Sequence, residues 1–279
     1  NIMNHQCLIA TKAARVCYAA EGDGVMEFGL RRAQGPDSGT YGARAAIIGG
    51  CKGTSNVLAG QMFDVPVLGT HAHSWIMSFP DEYTAFKEYA RLYPNACTLL
   101  VDTYDTLGSG IPNAIRVFTE MREAGINLTN YGIRMDSGDL AYLSKKVRKM
   151  LDDAGFTDAI ISASNDLDEY LIQDLFMQGA QIDMFGVGER MITARSEPVF
   201  GGVYKLAAVE DDEGNIIPKI KVSENVEKIT IPHFKKVYRF YGRDTGKAIA
   251  DLITLHDEQV DDTQDLEIFD PMATWKKKT

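Results

Sequence analysis

The feature that most constrains this chain is a unit that recurs from residue 25 to about residue 190: a short apolar run, a polar or glycine-bearing turn, then an amphipathic helix. Such alternation points to a parallel sheet with helices outside it, because parallel neighbours can be joined only by a crossover long enough to hold a helix. The pattern predicts strands over 25–30, 65–68, 98–101, 131–135, 159–163 and 182–187. It predicts helices over 38–48, 55–62, 80–92, 110–124, 140–154 and 167–178, preceded by one over 2–19 on Ile2, Leu8, Ile9, Ala13 and Val16. Glycine follows two of these helices, at Gly155 and Gly179, as expected of C-termini.

The residues just past each apolar run are more telling than the runs themselves. The strand ends read Arg31-Arg32, Thr70-His71-Ala72-His73-Ser74, Asp102-Thr103-Tyr104-Asp105, Asp136-Ser137-Gly138-Asp139, Ser164-Asn165-Asp166 and Gly186-Val187-Gly188. In a barrel of βα units all six would share one rim, the C-terminal face that holds the active site. An open doubly wound sheet would gather ligand groups only near its switch point. Six polar strand ends therefore favour an α/β fold of the irregular (β/α) TIM-like barrel kind, with two further strands expected outside the readable pattern. After Gly201 the pattern changes to alternation over 203–209, 216–222 and 236–241, around an acidic turn at 211–215. The expected division is a catalytic barrel over 1–202 and, over 203–279, a β-rich segment of a second lobe.

The net charge of −10 argues against a nucleic-acid or anionic-membrane surface, so phosphate binding must be local. No apolar run approaches the roughly 18 residues of a membrane span, and no signal peptide is visible, so a cytoplasmic location is expected. Cys7, Cys17, Cys51 and Cys97 are far apart in sequence and lack a zinc spacing, which predicts reduced core thiols. The helix at residue 2 has no cap region before it, and the end at Thr279 comes abruptly after an acidic stretch. Both are read as signs of a longer protein, and little or no activity is expected of the chain alone.

Several strand ends carry chemistry. Arg31 and Arg32 offer planar forks for a carboxylate or phosphate, and Phe28 beside them is a flat surface for a ring, unless it is core and the arginines meet surface acids. His71 and His73 are two of only five histidines; at i and i+2 they face opposite ways, so only one enters a site. A histidine there serves as nucleophile, acid-base group or metal ligand. Asp102, Asp105, Asp136 and Asp139 lie past two strands, with Arg134 on the same face as Asp136, a set suited to ribose hydroxyls, Mg²⁺ or an oxocarbenium-like charge. Asp139 reads more simply as a helix cap. Gly186 and Gly188 lie where backbone amides bind phosphate.

Together these segments resemble the nicotinate phosphoribosyltransferase family, through EFGLRRAQGPD (27–37), GTSNVLAG (53–60), GTHAHSW (69–75), LLVDTYDT (99–106), IRMDSGDL (133–140), SASNDLDE (162–169) and DMFGVGERMITA (183–194). The resemblance implies a type II phosphoribosyltransferase barrel in a homodimer with shared active sites. It implies attack of the nicotinate nitrogen on C1 of phosphoribosyl pyrophosphate, with Mg²⁺ beside the pyrophosphate and ATP assisting through a phosphohistidine, as a step in NAD biosynthesis. On this resemblance His73, which directly precedes Ser74, is the phosphorylated residue, and Asp102 orients it or the ribose hydroxyls. Phe28 stacks on the pyridine ring, Arg31 meets the base or phosphate, and Arg134 and Asp136 lie near the ribose and its phosphate. Ser74 and Asn165 are further binding residues, and Gly186 and Gly188 hold the 5′-phosphate. His71 stands where the family is commonly apolar. No metal ligand is assigned.

Ser55 bears on the choice of base. Nicotinamide-using relatives resemble this chain at Lys52-Gly53-Thr54 but continue with an aspartate, which accepts from an amide and would repel a carboxylate. A serine hydroxyl donates to nicotinate instead. The rival readings are nicotinamide or quinolinate phosphoribosyl transfer on the same fold, and a non-catalytic phosphate-binding barrel.

Overall fold

The computed structural model describes residues 2–225, 228–261, 263–270 and 273–278. It divides into two compact units, one ending at Gly201 and one beginning at Gly202. The first opens with α1 (Ile2–Ala19), whose Ile9, Ala13, Val16 and Ala19 repeat at helical spacing and are buried. Lys12 shares that buried face because Glu169 neutralises it at 2.6 Å.

Six parallel strands come next: β1 (Gly24–Glu27), β2 (Gly53–Thr54), β3 (Cys97–Leu100), β4 (Tyr131–Met135), β5 (Ile160–Ser164) and β6 (Met184–Val187), in the order β2-β1-β6-β5-β4-β3. The fold is thus mixed α/β around a parallel sheet. The helices that cross between strands are α2 (Pro36–Ile48), α3 (Val57–Phe63), α4 (His73–Met77), α5 (Glu82–Leu92), α6 (Ile111–Glu123), α7 (Leu140–Asp153) and α8 (Glu169–Met177), and α9 (Glu189–Ile192) comes after β6. Aspartates start many of them. Asp81, Asp139 and Asp168 each accept backbone N–H bonds in the first turn of α5, α7 and α8, and Asp105 does the same for a single π-type turn before α6. The core lies between sheet and helices and includes Phe86, Phe118, Phe156 and Phe185, all fully buried.

The predicted strand over 65–68 is not a strand. Only Val67 pairs, in one parallel bridge with Thr54, because Pro66 has no N–H to continue a ladder. In its place the two-residue β2 joins the sheet, too short and too polar to show in a hydrophobic pattern. The helix α4 also escaped the pattern, since it has five residues and Ala72 supplies no side-chain cap. The expectation of four core cysteines holds for Cys51 and Cys97, but Cys7 is exposed on α1 and Cys17 is only half-buried.

In the second unit, β7 (Ala208–Glu210) pairs antiparallel with β8 (Ile216–Pro218), around a turn in which Asp211 accepts the N–H groups of Glu213 and Asn215. The strand expected over 203–209 is therefore shorter, and that over 216–222 ends at Pro218. A second hairpin joins β9 (Lys235–Tyr241) to β10 (Ala248–Leu255), with Arg239 across from Asp251 at 2.8 Å. A third joins β11 (Ile268–Asp270) to β12 (Ala273–Lys278). The alternation in the sequence located only the first strand of the second pair and none of the third.

Candidate active site

The C-terminal ends of the parallel strands open onto a cavity of about 600 Å³. Phe28, Arg31, Ser55, His73, Ser74, Arg134, Asp136, Asn165, Gly186 and Gly188, ten of the residues singled out from the sequence, all line it. Arg32 lines it as well, and Asp102 lies just behind: its Oδ2 accepts the backbone N–H of Asp136 at 2.8 Å and the Ser137 hydroxyl at 2.5 Å. Residues more than 150 positions apart thus meet in one space.

His73 stands at the start of α4. Its Nδ1 lies 3.0 Å from the Thr103 hydroxyl, leaving Nε2 to face Asp136 Oδ2 at 3.6 Å and Asp102 Oδ1 at 4.0 Å. Among the described residues, the buried Asp102 Oδ1 has no hydrogen-bond partner, so one carboxylate oxygen just behind the cavity is unspent. Arg134, at the end of β4, is held on three sides. Its Nη1 donates to Thr70 Oγ1 at 2.7 Å, its Nε to Ser164 Oγ at 2.9 Å, and its Nη2 lies 3.4 Å from Asp136 Oδ1. The Ser164 hydroxyl passes this chain on to Asp136 Oδ1 at 2.5 Å. Arginine and aspartate are thereby locked in one orientation, with the guanidinium 5.4 Å from the centre of the Phe28 ring.

Phe28 owes its position to a glycine. A Cβ at Gly186 would fall 2.5 Å from a Phe28 ring carbon, so only glycine lets the ring lie over β6. Behind the ring, the buried Glu27 carboxylate accepts the N–H of Gly29 and, at 2.6 Å, the hydroxyl of Thr54. Burial raises its pKa, and the Thr54 bond ties the end of β1 to the residue preceding Ser55. Asn165 and Asp166 sit at the rim with φ of 106° and 44°, a left-handed backbone of the kind that clusters at ligand sites.

The two neighbouring histidines do face opposite ways. His73 looks into the cavity, while His71 is buried behind it, where desolvation lowers its pKa to about 4. Asp105 and Asp139 point away from the cavity to cap their helical turns. Sequence reasoning missed Thr70, Thr103 and Ser164, which orient the charged groups. Their only signal was position within the same strand-end strings.

The model of the nicotinate phosphoribosyltransferase (NAPRTase) family matches residues 24–214, and that of the nicotinate phosphoribosyltransferase C-terminal domain matches residues 234–279. The nicotinate phosphoribosyltransferase of Bacillus subtilis is 54% identical over 278 residues, covering 100% of this chain and 56% of that protein. The chain belongs to the nicotinate phosphoribosyltransferase family. The Dictyostelium discoideum nicotinate phosphoribosyltransferase is 40% identical over 94% of the chain and 51% of its own length. The crystal structure of human nicotinic acid phosphoribosyltransferase superposes with a TM-score of 0.74 at 29% identity, covering 99% of this chain and 61% of that one. The chain therefore spans a little over half the length of these family members. Among the described residues no helix is long and apolar enough to cross a membrane.

Proposed function

We propose that this cavity is the site at which nicotinate takes a phosphoribosyl group from phosphoribosyl pyrophosphate, yielding nicotinate mononucleotide and pyrophosphate for NAD biosynthesis. The observation that carries the reading is the convergence of Phe28, His73 and the Arg134–Asp136 pair from three separate segments onto one space. The reaction separates a cationic sugar from a departing polyanion, so the site needs fixed charges of both signs at short range. Arg134 and Arg31 supply the positive groups, Asp102 and Asp136 the negative ones. Phe28 supports the pyridine ring, Ser55 donates to its carboxylate, and Ser74, Asn165, Gly186 and Gly188 border the sugar phosphate.

ATP assists through His73. Thr103 engages Nδ1, which carries the ring proton, so Nε2 has the free lone pair that attacks the γ-phosphorus; the P–O bond to ADP breaks, and the proton stays on Nδ1 against the Thr103 hydroxyl. Mg²⁺ binds through one or two carboxylates together with substrate phosphates, and the unspent lone pair of Asp102 beside Asp136 fits that donor set. Those two carboxylates would hold the ion, which supplies charge neutralisation for the departing pyrophosphate. The sheet is read as part of a (β/α) barrel, since its edges β2 and β3 flank the single stretch 66–71. A homodimer partner completes the site, a reading supported by α3, which turns Val57, Leu58 and Met62 outward beside Ser55. Free thiols only 4.0 Å apart at Cys17 and Cys51 suit the reducing cytoplasm.

The test is mononucleotide formation from nicotinate, nicotinamide and quinolinate by the full-length protein, each with and without ATP. Nicotinate is expected to be preferred and ATP to stimulate. His73→Ala should abolish the stimulation and leave slow transfer, whereas undiminished stimulation would remove His73 from the reaction.

A further inference from the structure

A parallel sheet that ends at β3 exposes a row of backbone N–H groups along its outer edge. Leu100, the last residue of β3, is fully buried, so water cannot satisfy its amide. The partner it finds is a side chain: Nε2 of His71 accepts the Leu100 N–H at 3.2 Å. The imidazole packs edge-on to Tyr89, with ring centres 4.6 Å apart, which fixes its plane. On the opposite side, the same stretch of chain joins β2 by backbone alone. Thr54 N–H donates to Pro66 at 3.0 Å, and Leu68 N–H donates back to Thr54 at 3.0 Å. Residues 66–71 thus lie between the two edges of the sheet, paired to one by peptide groups and to the other by an imidazole.

This attachment sits at a critical place. Thr70, next to His71, accepts from Arg134, and His73 begins α4 two residues later. The contacts of His73 are with Thr103 and Asp102, just beyond β3, and with Asp136, just beyond β4. Whatever fixes residue 71 to β3 therefore sets the distance from His73 to these groups.

We infer that His71 is a positioning residue: its uncharged imidazole takes the place of a strand carbonyl, closes the gap between β2 and β3, and so holds His73 against Asp102 and Asp136. Burial keeps the ring neutral, and the Leu100 N–H facing Nε2 makes that nitrogen the acceptor and puts the ring proton on Nδ1. The catalytic consequence rests on the function proposed above, but the pairing itself does not.

The test compares the full-length wild type with His71→Leu, which fills the space without an acceptor, and His71→Gln, whose side-chain oxygen can reach the same amide. Residue-resolved amide exchange is monitored at Leu100, with the interior-strand amides of Ile133 and Ile161 as internal references. In His71→Leu, Leu100 should exchange roughly tenfold faster relative to the references, as expected for loss of one hydrogen bond. ATP-stimulated kcat should fall by about tenfold to a hundredfold while KM for nicotinate stays within about twofold. His71→Gln should restore most of both.

Unchanged Leu100 exchange in His71→Leu would overturn the pairing. Faster exchange in both variants would overturn it too, because shape rather than the acceptor would then be responsible. Faster exchange in His71→Leu with full ATP-stimulated turnover would overturn the link to His73. Should His71→Leu loosen the whole sheet, His71→Gln decides: retained protection at Leu100 supports the acceptor, and lost protection refutes it. If the wild type showed no transfer at all, the proposed function would fail while the exchange comparison still decided the pairing.

Discussion

Lowering the pH should cost this protein a definite amount of stability through His71 alone. Burial depresses its pKa from the ordinary 6.5 to about 4. Between those values the unfolded chain takes up a proton that the folded chain refuses, so stability is present above the unfolded pKa and is lost as the pH falls toward the folded one. Protonation would also turn Nε2 from an acceptor into a donor facing the Leu100 N–H. Going from pH 7 to pH 4.5, the two pKa values give a loss of about 2–3 kcal/mol from this one group. Glu27 acts with the opposite sign, since a buried carboxyl with a raised pKa favours the folded state as the pH falls. Its share is removed by comparison with His71→Gln, which lacks only the imidazole. Urea unfolding of wild type and His71→Gln at both pH values measures the difference. The wild type should lose about 2–3 kcal/mol more than the variant. Parallel losses would show that His71 is not held neutral, and the reasoning from burial would be wrong.

Two further outcomes test the walls of the cavity. Gly186→Ala places a methyl group 2.5 Å from the Phe28 ring, so the ring must leave its place over β6; KM for nicotinate should rise roughly tenfold and stability should drop by about 1–3 kcal/mol, read by steady-state kinetics and thermal unfolding, and an unchanged KM would detach Phe28 from base binding. Ser55→Asp puts a carboxylate beside the expected position of nicotinate's own, so the ratio of kcat/KM for nicotinate over nicotinamide should fall by at least about tenfold, and an unaltered ratio would show that residue 55 does not choose the base.

The sequence made the rim legible because charge at strand ends is costly unless used. Arg134 and Asp136, two residues apart on β4 and just past it, had to share a face, and they do. Paired aspartates were harder to divide. Asp102 and Asp105, and likewise Asp136 and Asp139, are three apart; in each pair the first serves the cavity and the second caps the next helical turn. The cap reading of Asp139 holds, and capping chemistry identifies Asp105 only in retrospect, since each precedes a helical turn by one residue. Gly186 was read as an amide donor; the structure adds that its missing side chain makes room for Phe28, a contact that no local pattern reveals. The interruption at Pro66 was readable from the lack of an N–H, but not the substitution of a histidine for a strand, which depends on where β3 ends in space. In the second unit, β10 reads AIADLITL, with only Asp251 and Thr254 polar, so no polar–apolar alternation singles it out.

The most direct measurement is a crystal structure of the full-length protein with nicotinate mononucleotide. The pyridine ring is expected against Phe28 and near Ser55, with the sugar phosphate enclosed by Arg134, Asp136, His73 and Gly188. A nucleotide bound in any other cavity, or bound here with Arg134 and His73 both turned away from it, would contradict the assignment of this cavity as the place of phosphoribosyl transfer.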